Sequence, residues 1–523
     1  MNIAAILPRS ANLYGPGIAV AHGRSAHLTY DGLLDQVRRI AGGLKRMGLQ
    51  KGDRIAFFMT NDPHYIALKF ATWWMGAVAV PINAKLHRKE VAHILADCGA
   101  AVVFVNRDTA AVLAPLAGQV NSEVTGLRQI VAVGSLEHDA LLTSPPSQSM
   151  EPALADDLAW LFYTSGTTGF PKGAMISHGN LYSMARSYLS DVDSIAPQAT
   201  LVHLAPMSHG SGLYTLPFLA MGGISVVPQS GSFDEAEFFD LLPHWQEISA
   251  FVAPTMMQRL TNHAIANKVD IRHLRCMIYG GGPLYLADLQ KAADHFGPVF
   301  AQIYGQGECP MSITSMSRQR FTAALAARDE KCLQSVGVPF LGTDLQIRDG
   351  DGKALGNGET GEICVHSSAC FLGYWHNDDG TRAALQDGWL LTGDLGTIDA
   401  AGHLHLVGRS KETIISAGTN IYPVEIENVL LQHPAVIEAA VLGVPDAEWG
   451  ECVAAFVVVE HETPDLEAQL DALCLANIAR FKRPRRYYRR PSLPKNAYGK
   501  VLKRELLHEL LEEAKAEAVQ AGR

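Results

Sequence analysis

Between residues 29 and 105 the sequence switches repeatedly between two hydrophobic periods, and this switching leaves few folds open. Leu33, Leu34, Val37, Ile40, Ala41, Leu44 and Met47 recur at helical spacing behind Thr29, a capping residue, and Gly48 ends the pattern. A strand-like run at 54–59 follows, then an apolar helix around 65–75, the run 76–82, a polar helix through His93 and Leu95, and the run 100–105. Helices alternating with short Val/Ile-rich strands predict an α/β fold with a largely parallel sheet. Open sheets of this kind bind ligands in the crevice at their strand ends.

The pattern continues through strand candidates at 158–162, 223–227, 250–253 and 276–279, with 201–210 running as a strand into a turn and a helix at 213–220. A chain of 523 residues exceeds one ordinary core, so at least two domains are expected, one of them large. From about Val407 a self-contained pattern begins: a strand at 413–416, a helix near 424–431, strands at 437–442 and 452–459, a helix around 466–478 and a basic tail. The boundary is expected near residue 410, giving a large N-terminal domain of mainly parallel sheets flanked by helices and a small C-terminal α/β domain. Before residue 400 the one linker-like composition is Thr143-Ser-Pro-Pro-Ser-Gln-Ser149.

A formal net charge of -10 argues against non-specific nucleic-acid binding and favours a cytoplasmic protein. The run 482–490 interleaves arginines with Tyr487 and Tyr488, but no nucleic-acid fold signature accompanies it, so a solvated face is the expectation. Recruitment of a phosphate by Arg485 and Arg486 is the alternative. The eight cysteines form no C-x-x-C pair and no metal-ligand spacing, and they read as reduced, mostly buried thiols. Cys309 deserves a separate look because it adjoins Glu308. The window 66–82 is interrupted by Lys69, Gly76 and Pro81, and no signal peptide or transmembrane segment is expected.

The stretch best suited to chemistry is Tyr163-Thr-Ser-Gly-Thr-Thr-Gly-Phe-Pro-Lys-Gly173. It leaves a strand end carrying four hydroxyls (Thr164, Ser165, Thr167, Thr168), two glycines that let backbone N–H groups face a ligand (Gly166, Gly169), and the cation Lys172. Phosphate oxygens are the partners such a set fits. A flexible polar loop is the plain alternative, against which the ordered Pro-Lys-Gly ending argues. The kinase-type phosphate loop requires G-x-x-x-x-G-K-[ST], a spacing that Phe170 and Gly173 break. A second phosphate-competent element is Ile303-Tyr-Gly-Gln-Gly-Glu308, where a carboxylate ends a glycine-containing turn, as a Mg²⁺ ion bridging phosphates would need.

These segments resemble the signature of the adenylate-forming superfamily: acyl-CoA and aryl-CoA synthetases, adenylation domains of peptide synthetases, and beetle luciferases. The likeness runs from about Thr29 to Arg504 and is most specific at the 163–173 loop and at 408–427. It implies ATP and coenzyme A as co-substrates, with Mg²⁺ on Glu308. Tyr304 would lie against adenine, alongside Gly280, Gly281 and Gly282; Asp394 would receive the ribose hydroxyls, with Arg409 reaching the same sugar. Gly307 departs from the family pattern, which has a threonine donating near the α-phosphate. A hydrogen bond to a charged group is worth roughly 1.5–3 kcal/mol, so its loss would lower adenylation unless a neighbour or water replaces it.

By the same resemblance Lys500, in Pro494-Lys-Asn-Ala-Tyr-Gly-Lys500, spans the substrate carboxylate and the α-phosphate. Lys411 marks a hinge at 409–412 between an N-terminal domain at 1–408 and a mobile C-terminal domain at 413–523. Gly418 lines the tunnel for the pantetheine arm of coenzyme A, and His209, Gly210, Ser211 and Gly212 wall the acyl pocket. The implied activity is an AMP-forming acid–CoA ligase acting on a fatty or aromatic carboxylic acid, with catalysis by Lys500, Lys172 and Glu308. Two other readings stay open: an adenylating enzyme that loads a carrier protein, and a nucleotide-binding pseudoenzyme suggested by Gly307. The setting of Lys500 also resembles sites modified by lysine acyltransferases, and a homodimer is compatible with the chain.

Overall fold

The structure is a computed structural model that describes residues 1–117, 126–164, 171–282, 284–416, 419–446, 449–461, 463–495 and 501–521. It is a mixed α/β protein whose chain divides into two compact units: 1–345 with 364–391, and 346–363 with 392–523.

The first unit holds two large sheets. In the six-stranded sheet the strands lie in the order Gln129–Ala132, Ala100–Val105, Arg54–Met59, Val78–Asn83, Leu158–Thr164 and Lys172–Ser177. All neighbours are parallel except the last pair, a hairpin. The strands Arg54–Met59 and Ala100–Val105 begin and end where the period-2 signal placed them, and they are almost wholly buried, as strands covered on both faces must be. The helix Tyr30–Arg46 starts where Thr29 accepts from the N–H of Gly32, and Gly48 turns the chain at φ +81°.

The nine-stranded sheet takes the order Val338–Pro339, Cys309–Met316, Phe300–Gln306, Leu274–Tyr279, Ile248–Val252, Thr200–Val202, Ile224–Val227, Ile18–His22 and Ser25–Thr29. Its middle is parallel and its two ends are antiparallel hairpins. The run 201–210 is a strand over Thr200–Val202 that passes into a turn through Pro206 and Ser208–Gly210, as expected. One expectation needs correction. The helix expected at 213–220 is two short helices, Gly210–Leu213 and Thr215–Ala220, since Pro217 has no N–H to carry one ladder through both.

The linker-like segment at 143–149 is a strap pressed on the helix Tyr30–Arg46. Ser147 donates its N–H to the Arg38 carbonyl at 2.8 Å, and Arg38 Nε donates back to the Ser147 carbonyl at 3.2 Å. Gly42 and Gly43 make the approach possible: a Cβ at Gly42 would overlap the Pro145 carbonyl oxygen, and one at Gly43 would lie 2.9 Å from Ser144 Oγ.

In the second unit Trp389–Ile398 contributes residues that pair antiparallel with Leu404–Arg409. Beyond them Thr419–Ile421, Ile414–Ser416, Gly450–Val459 and Val436–Asp446 lie side by side, and Arg486–Arg489 joins Gly450–Val459 in parallel. One face of this sheet buries Ile414, Val441, Val453 and Ala455 with Ile426, Leu430, Leu466 and Leu470 from the helices Pro423–Leu430 and Leu466–Asn477. The other buries Leu442, Ala454 and Phe456 with Leu506 and Leu510 of the helix Lys503–Ala521. No helix among the described residues is long and apolar enough to cross a membrane.

Candidate active site

The strands Leu158–Thr164 and Lys172–Ser177 form a hairpin whose loop end sets Thr164 opposite Lys172. Ser165, Gly166, Thr167, Thr168 and Gly169, between them, lie outside the described residues, as do Gly418 and Lys500. Against Lys172–Ser177 runs residue 372–375 backbone: the N–H groups of Leu372 and Trp375 donate to the carbonyls of Met175 and Gly173 at 2.8 Å each. This pairing delivers Tyr374 to the site. The Lys172 ammonium stands 5.4 Å from the centroid of its ring, and its hydroxyl donates to Glu308 Oε1 at 2.6 Å. Tyr374 carried no motif signal, since its neighbours come from a segment about two hundred residues away in sequence; the backbone pairing is what assigns it.

Glu308 sits at the turn between Phe300–Gln306 and Cys309–Met316, where Gln306 pairs with Cys309. Its carbonyl accepts from the Phe371 N–H at 2.7 Å, fixing the turn to the same chain segment that brings Tyr374. Gly307 is packed against the hairpin: a Cβ there would overlap Thr164 Cγ2 and come within 2.9 Å of the Phe162 ring. The room a threonine side chain would take is therefore filled by Thr164, a residue that itself bears a hydroxyl. Cys309, beside Glu308, is buried, and its hydrogen bond to Cys370 together with desolvation raises its thiol well above the usual range, which removes it as a nucleophile. All eight cysteines are free.

Tyr304 lies in the same hairpin, 8% exposed. Gly280 follows the neighbouring strand Leu274–Tyr279, and a Cβ there would sit 2.5 Å from the Ile303 carbonyl, so a bare backbone is required for these strands to close. Gly281 takes φ +82°, and Gly282 faces Pro254. Gly280, Gly281, Gly282, Tyr304, Gly307 and Glu308 thus share adjoining strand ends.

The His209–Gly212 turn occupies the same unit. The His209 ring meets Phe162 edge to face at 5.1 Å, and Ser208 Oγ lies 2.9 Å from its Nδ1. Desolvation holds the imidazole neutral by pushing its pKa down to about 3. A Cβ at Gly210 would come 2.8 Å from Met311 Sδ and 3.3 Å from Phe251, and one at Gly212 would overlap the Met207 carbonyl. Ser211 turns inward, its Oγ 2.9 Å from Nδ1 of the buried His203. Behind Gly212 stands Lys69, whose Nζ donates to the Gly212 carbonyl at 2.6 Å. The sequence had marked Lys69 only as an interruption of an apolar run; a cation in the middle of a buried helix was the signal.

In the second unit Asp394 is 6% exposed and accepts from Arg409 Nε at 2.8 Å, across a register that pairs the two residues directly. Lys411 lies in the single turn Ser410–Glu412, which Ser410 Oγ ties to the Gly393 carbonyl at 3.2 Å. Half of the basic run is ion-paired: Lys482 pairs with Glu425 at 2.8 Å, Arg483 with Asp471, and Arg490 with Glu513 at 3.0 Å. Arg485 instead stacks over Trp449 at 4.1 Å. Among the described residues no group of three or more His, Cys, Asp or Glu side chains is arranged to hold a metal ion.

Comparison with known proteins agrees with this arrangement. The model of the AMP-binding enzyme family matches residues 7–375, and that of the AMP-binding enzyme C-terminal domain matches 425–500. A feruloyl-CoA synthase from Amycolatopsis sp. is 35% identical over 500 residues, covering 95% of this chain and 97% of the relative. The long-chain-fatty-acid–CoA ligase FadD13 of Mycobacterium tuberculosis is 32% identical over 484 residues, covering 91% and 92%. Among solved structures, the amide bond synthetase McbA from Marinactinospora thermotolerans superposes with a TM-score of 0.85 at 28% identity, covering 96% of this chain and 99% of that one. The matched span and the fold agree: the chain belongs to the AMP-binding enzyme family, in the acyl-CoA and aryl-CoA synthetase branch of the adenylate-forming superfamily.

Proposed function

We propose that this protein is an ATP-dependent carboxylic acid–CoA ligase that releases AMP and acts on a fatty or aromatic acid. The observation that carries the reading is the meeting of Thr164 and Lys172, paired on one hairpin, with the Gly307–Glu308 turn and Tyr374 from segments remote in sequence, all in one unit. The relatives named for feruloyl and long-chain fatty substrates support both acid classes.

In the first step the acid's carboxylate oxygen attacks the α-phosphorus of ATP in line; an O–P bond forms to the acid and pyrophosphate departs with the electrons of the bond it breaks. Thr164, Lys172 and the loop residues Ser165, Gly166, Thr167, Thr168 and Gly169 hold the phosphates. Lys500 offsets the charge that gathers as two anions meet. Tyr304 and Gly280–Gly282 receive the adenine, while Asp394 and Arg409 receive the ribose, a two-oxygen acceptor matching two hydroxyl donors. Glu308 suits Mg²⁺, which takes one or two protein carboxylates and fills its remaining positions with phosphate oxygens and water; when bound, the ion supplies charge neutralisation. In the second step the CoA thiol adds to the activated carbonyl and AMP leaves. Lys411 serves as the hinge that exchanges the two active arrangements, and Gly418 lines the pantetheine path.

His209, Gly210, Ser211 and Gly212, with Phe162, Phe251 and Met311, form the acyl wall. The working location is the cytoplasm, in keeping with eight cysteines of which none is in a disulfide. Acylation of Lys500 by a lysine acyltransferase would abolish adenylation and spare thioester formation from preformed acyl-AMP; unchanged pyrophosphate release from the modified protein would refute it. A homodimer is open to direct measurement by light scattering.

The deciding experiment is pyrophosphate release across fatty, aryl and short-chain acids, with and without CoA, for wild type and Lys500→Ala. Lysine-dependent turnover that rises with CoA establishes the ligase and its acyl class. Turnover that ignores CoA points to another acceptor, such as a carrier protein.

A further inference from the structure

The helix His64–Trp74 is buried from Tyr65 onward, and Lys69 at its centre is 1% exposed. Its ammonium sits among three rings, 6.0 Å from the centroid of Tyr65, 5.5 Å from Trp73 and 5.6 Å from Trp160. Among the described residues no carboxylate pairs with it, and burial alone pushes its pKa down to about 7. Removing an ammonium from water without an anion to meet it costs several kcal/mol, and a leucine or methionine would fill the same volume without that cost. Three aromatic faces recover part of it. What remains is the one directed bond, Nζ to the Gly212 carbonyl at 2.6 Å.

Gly212 lies in a helix of four residues, Gly210–Leu213, where the Tyr214 N–H reaches back to the Gly210 carbonyl and Lys69 Nζ meets that of Gly212, and the next helix begins at Thr215. Lys69 therefore closes this turn from behind. A second tether grips the preceding residue: Ser211 Oγ lies 2.9 Å from Nδ1 of His203, which desolvation and then the nearby Lys69 charge hold neutral at a pKa of about 3. The two tethers come from different sheets, since Lys69 rides on the helix between Arg54–Met59 and Val78–Asn83, and His203 follows Thr200–Val202. On its other side the turn faces Met311 and Phe251, close enough that a Cβ added at Gly210 would lie 2.8 Å from Met311 Sδ and 3.3 Å from the Phe251 ring.

We propose that Lys69 is a positioning residue for acyl selectivity: by holding the Gly212 carbonyl it sets how far the Gly210–Gly212 turn stands from Met311 and Phe251, and so how deep an acyl group reaches. This rests on the reading of His209–Gly212 as the acyl wall. With the tether cut, the turn relaxes and the depth limit blurs, while the phosphate and ribose groups stay in place.

The test compares wild type with Lys69→Met, which keeps the reach and removes the donor, and with Ser211→Ala, which cuts the other tether without altering the buried helix. Two readouts are taken: steady-state pyrophosphate release over acids of graded length, and amide hydrogen exchange across residues 209–214. The expected result for Lys69→Met is a roughly tenfold change in the ratio of kcat/KM between short and long acids, with KM for ATP held within about twofold, and faster exchange at 211–214. Ser211→Ala shifts both in the same direction and decides the matter if Lys69→Met does not fold. An unchanged length profile with unchanged exchange overturns the proposal, and so does an equal loss for every acid and for ATP, the mark of a merely structural lysine. If wild type turns over no acid, the ligase reading fails on its own, and unchanged exchange at 211–214 still refutes the tether.

Discussion

Gly307 shows how a single missing side chain changes meaning between sequence and structure. In the sequence it is a threonine lost, and with it a donor; in the folded chain its place is taken by Thr164 Cγ2 and the Phe162 ring. Gly307→Thr is therefore expected to lower pyrophosphate release and melting temperature, by about 1–3 kcal/mol for overpacking, and the loss should shrink when Thr164→Ser makes room, a coupling that a double-mutant cycle reads directly. At Glu308 the relevant partner is Tyr374, whose hydroxyl bond to a charged acceptor is worth roughly 1.5–3 kcal/mol. Tyr374→Phe should raise the apparent KM for Mg·ATP by about tenfold while leaving acid selectivity unaltered; kinetics with ATP and Mg²⁺ varied together measures it. The stretches 163–173 and 303–308 stood out in the sequence because each is a short contiguous motif. Tyr374, Lys69 and His203 did not, because each acts through a neighbour remote in sequence, and no periodic pattern records such a meeting.

At the level of elements, the boundaries that the sequence marked well are those with a local cause. Thr29 starts a helix through its own hydroxyl, and the buried strands at 54–59 and 100–105 are bounded by charge and glycine. Elements failed where tertiary packing overrode composition. The segment at 143–149 has the residues of a linker and is held as a strap by Arg38 and by the bare surface of Gly42 and Gly43. Gly42→Ala gains about 1 kcal/mol of helix propensity, yet the overlap with the Pro145 carbonyl should outweigh it, so a net fall in melting temperature and faster exchange across 143–149 are expected. The strand Arg486–Arg489 illustrates the converse: a run that looked like a charged patch is a sheet strand whose flanking cations Lys482 and Arg483 are already paired. These pairs are half-buried, and their clearest effect is to spend positive charge that a polyanion would need.

For the whole molecule the buried histidines set a direction for its response to acid. His178, His203 and His209 are kept neutral chiefly by desolvation, with pKa values near about 4, about 3 and about 3, against an ordinary value of about 6.5 in the unfolded chain. Below pH 6.5 the unfolded state then binds more protons than the folded one, so stability is full above that pH and is lost progressively as pH falls toward 3. Melting temperature should drop between pH 7 and pH 5, and His203→Asn should flatten that slope. A different property of the whole follows from the order of the nine-stranded sheet, in which Ile18–His22 pairs with Ile224–Val227, with Val20 opposite Ser225. The first hairpin of the protein is thus made roughly two hundred residues before its partner strand exists. At ordinary synthesis rates it waits about 10–40 s with one edge unpaired, so the emerging chain, rather than the finished enzyme, is where this fold is most exposed to chaperones, to aggregation and to any pause in translation.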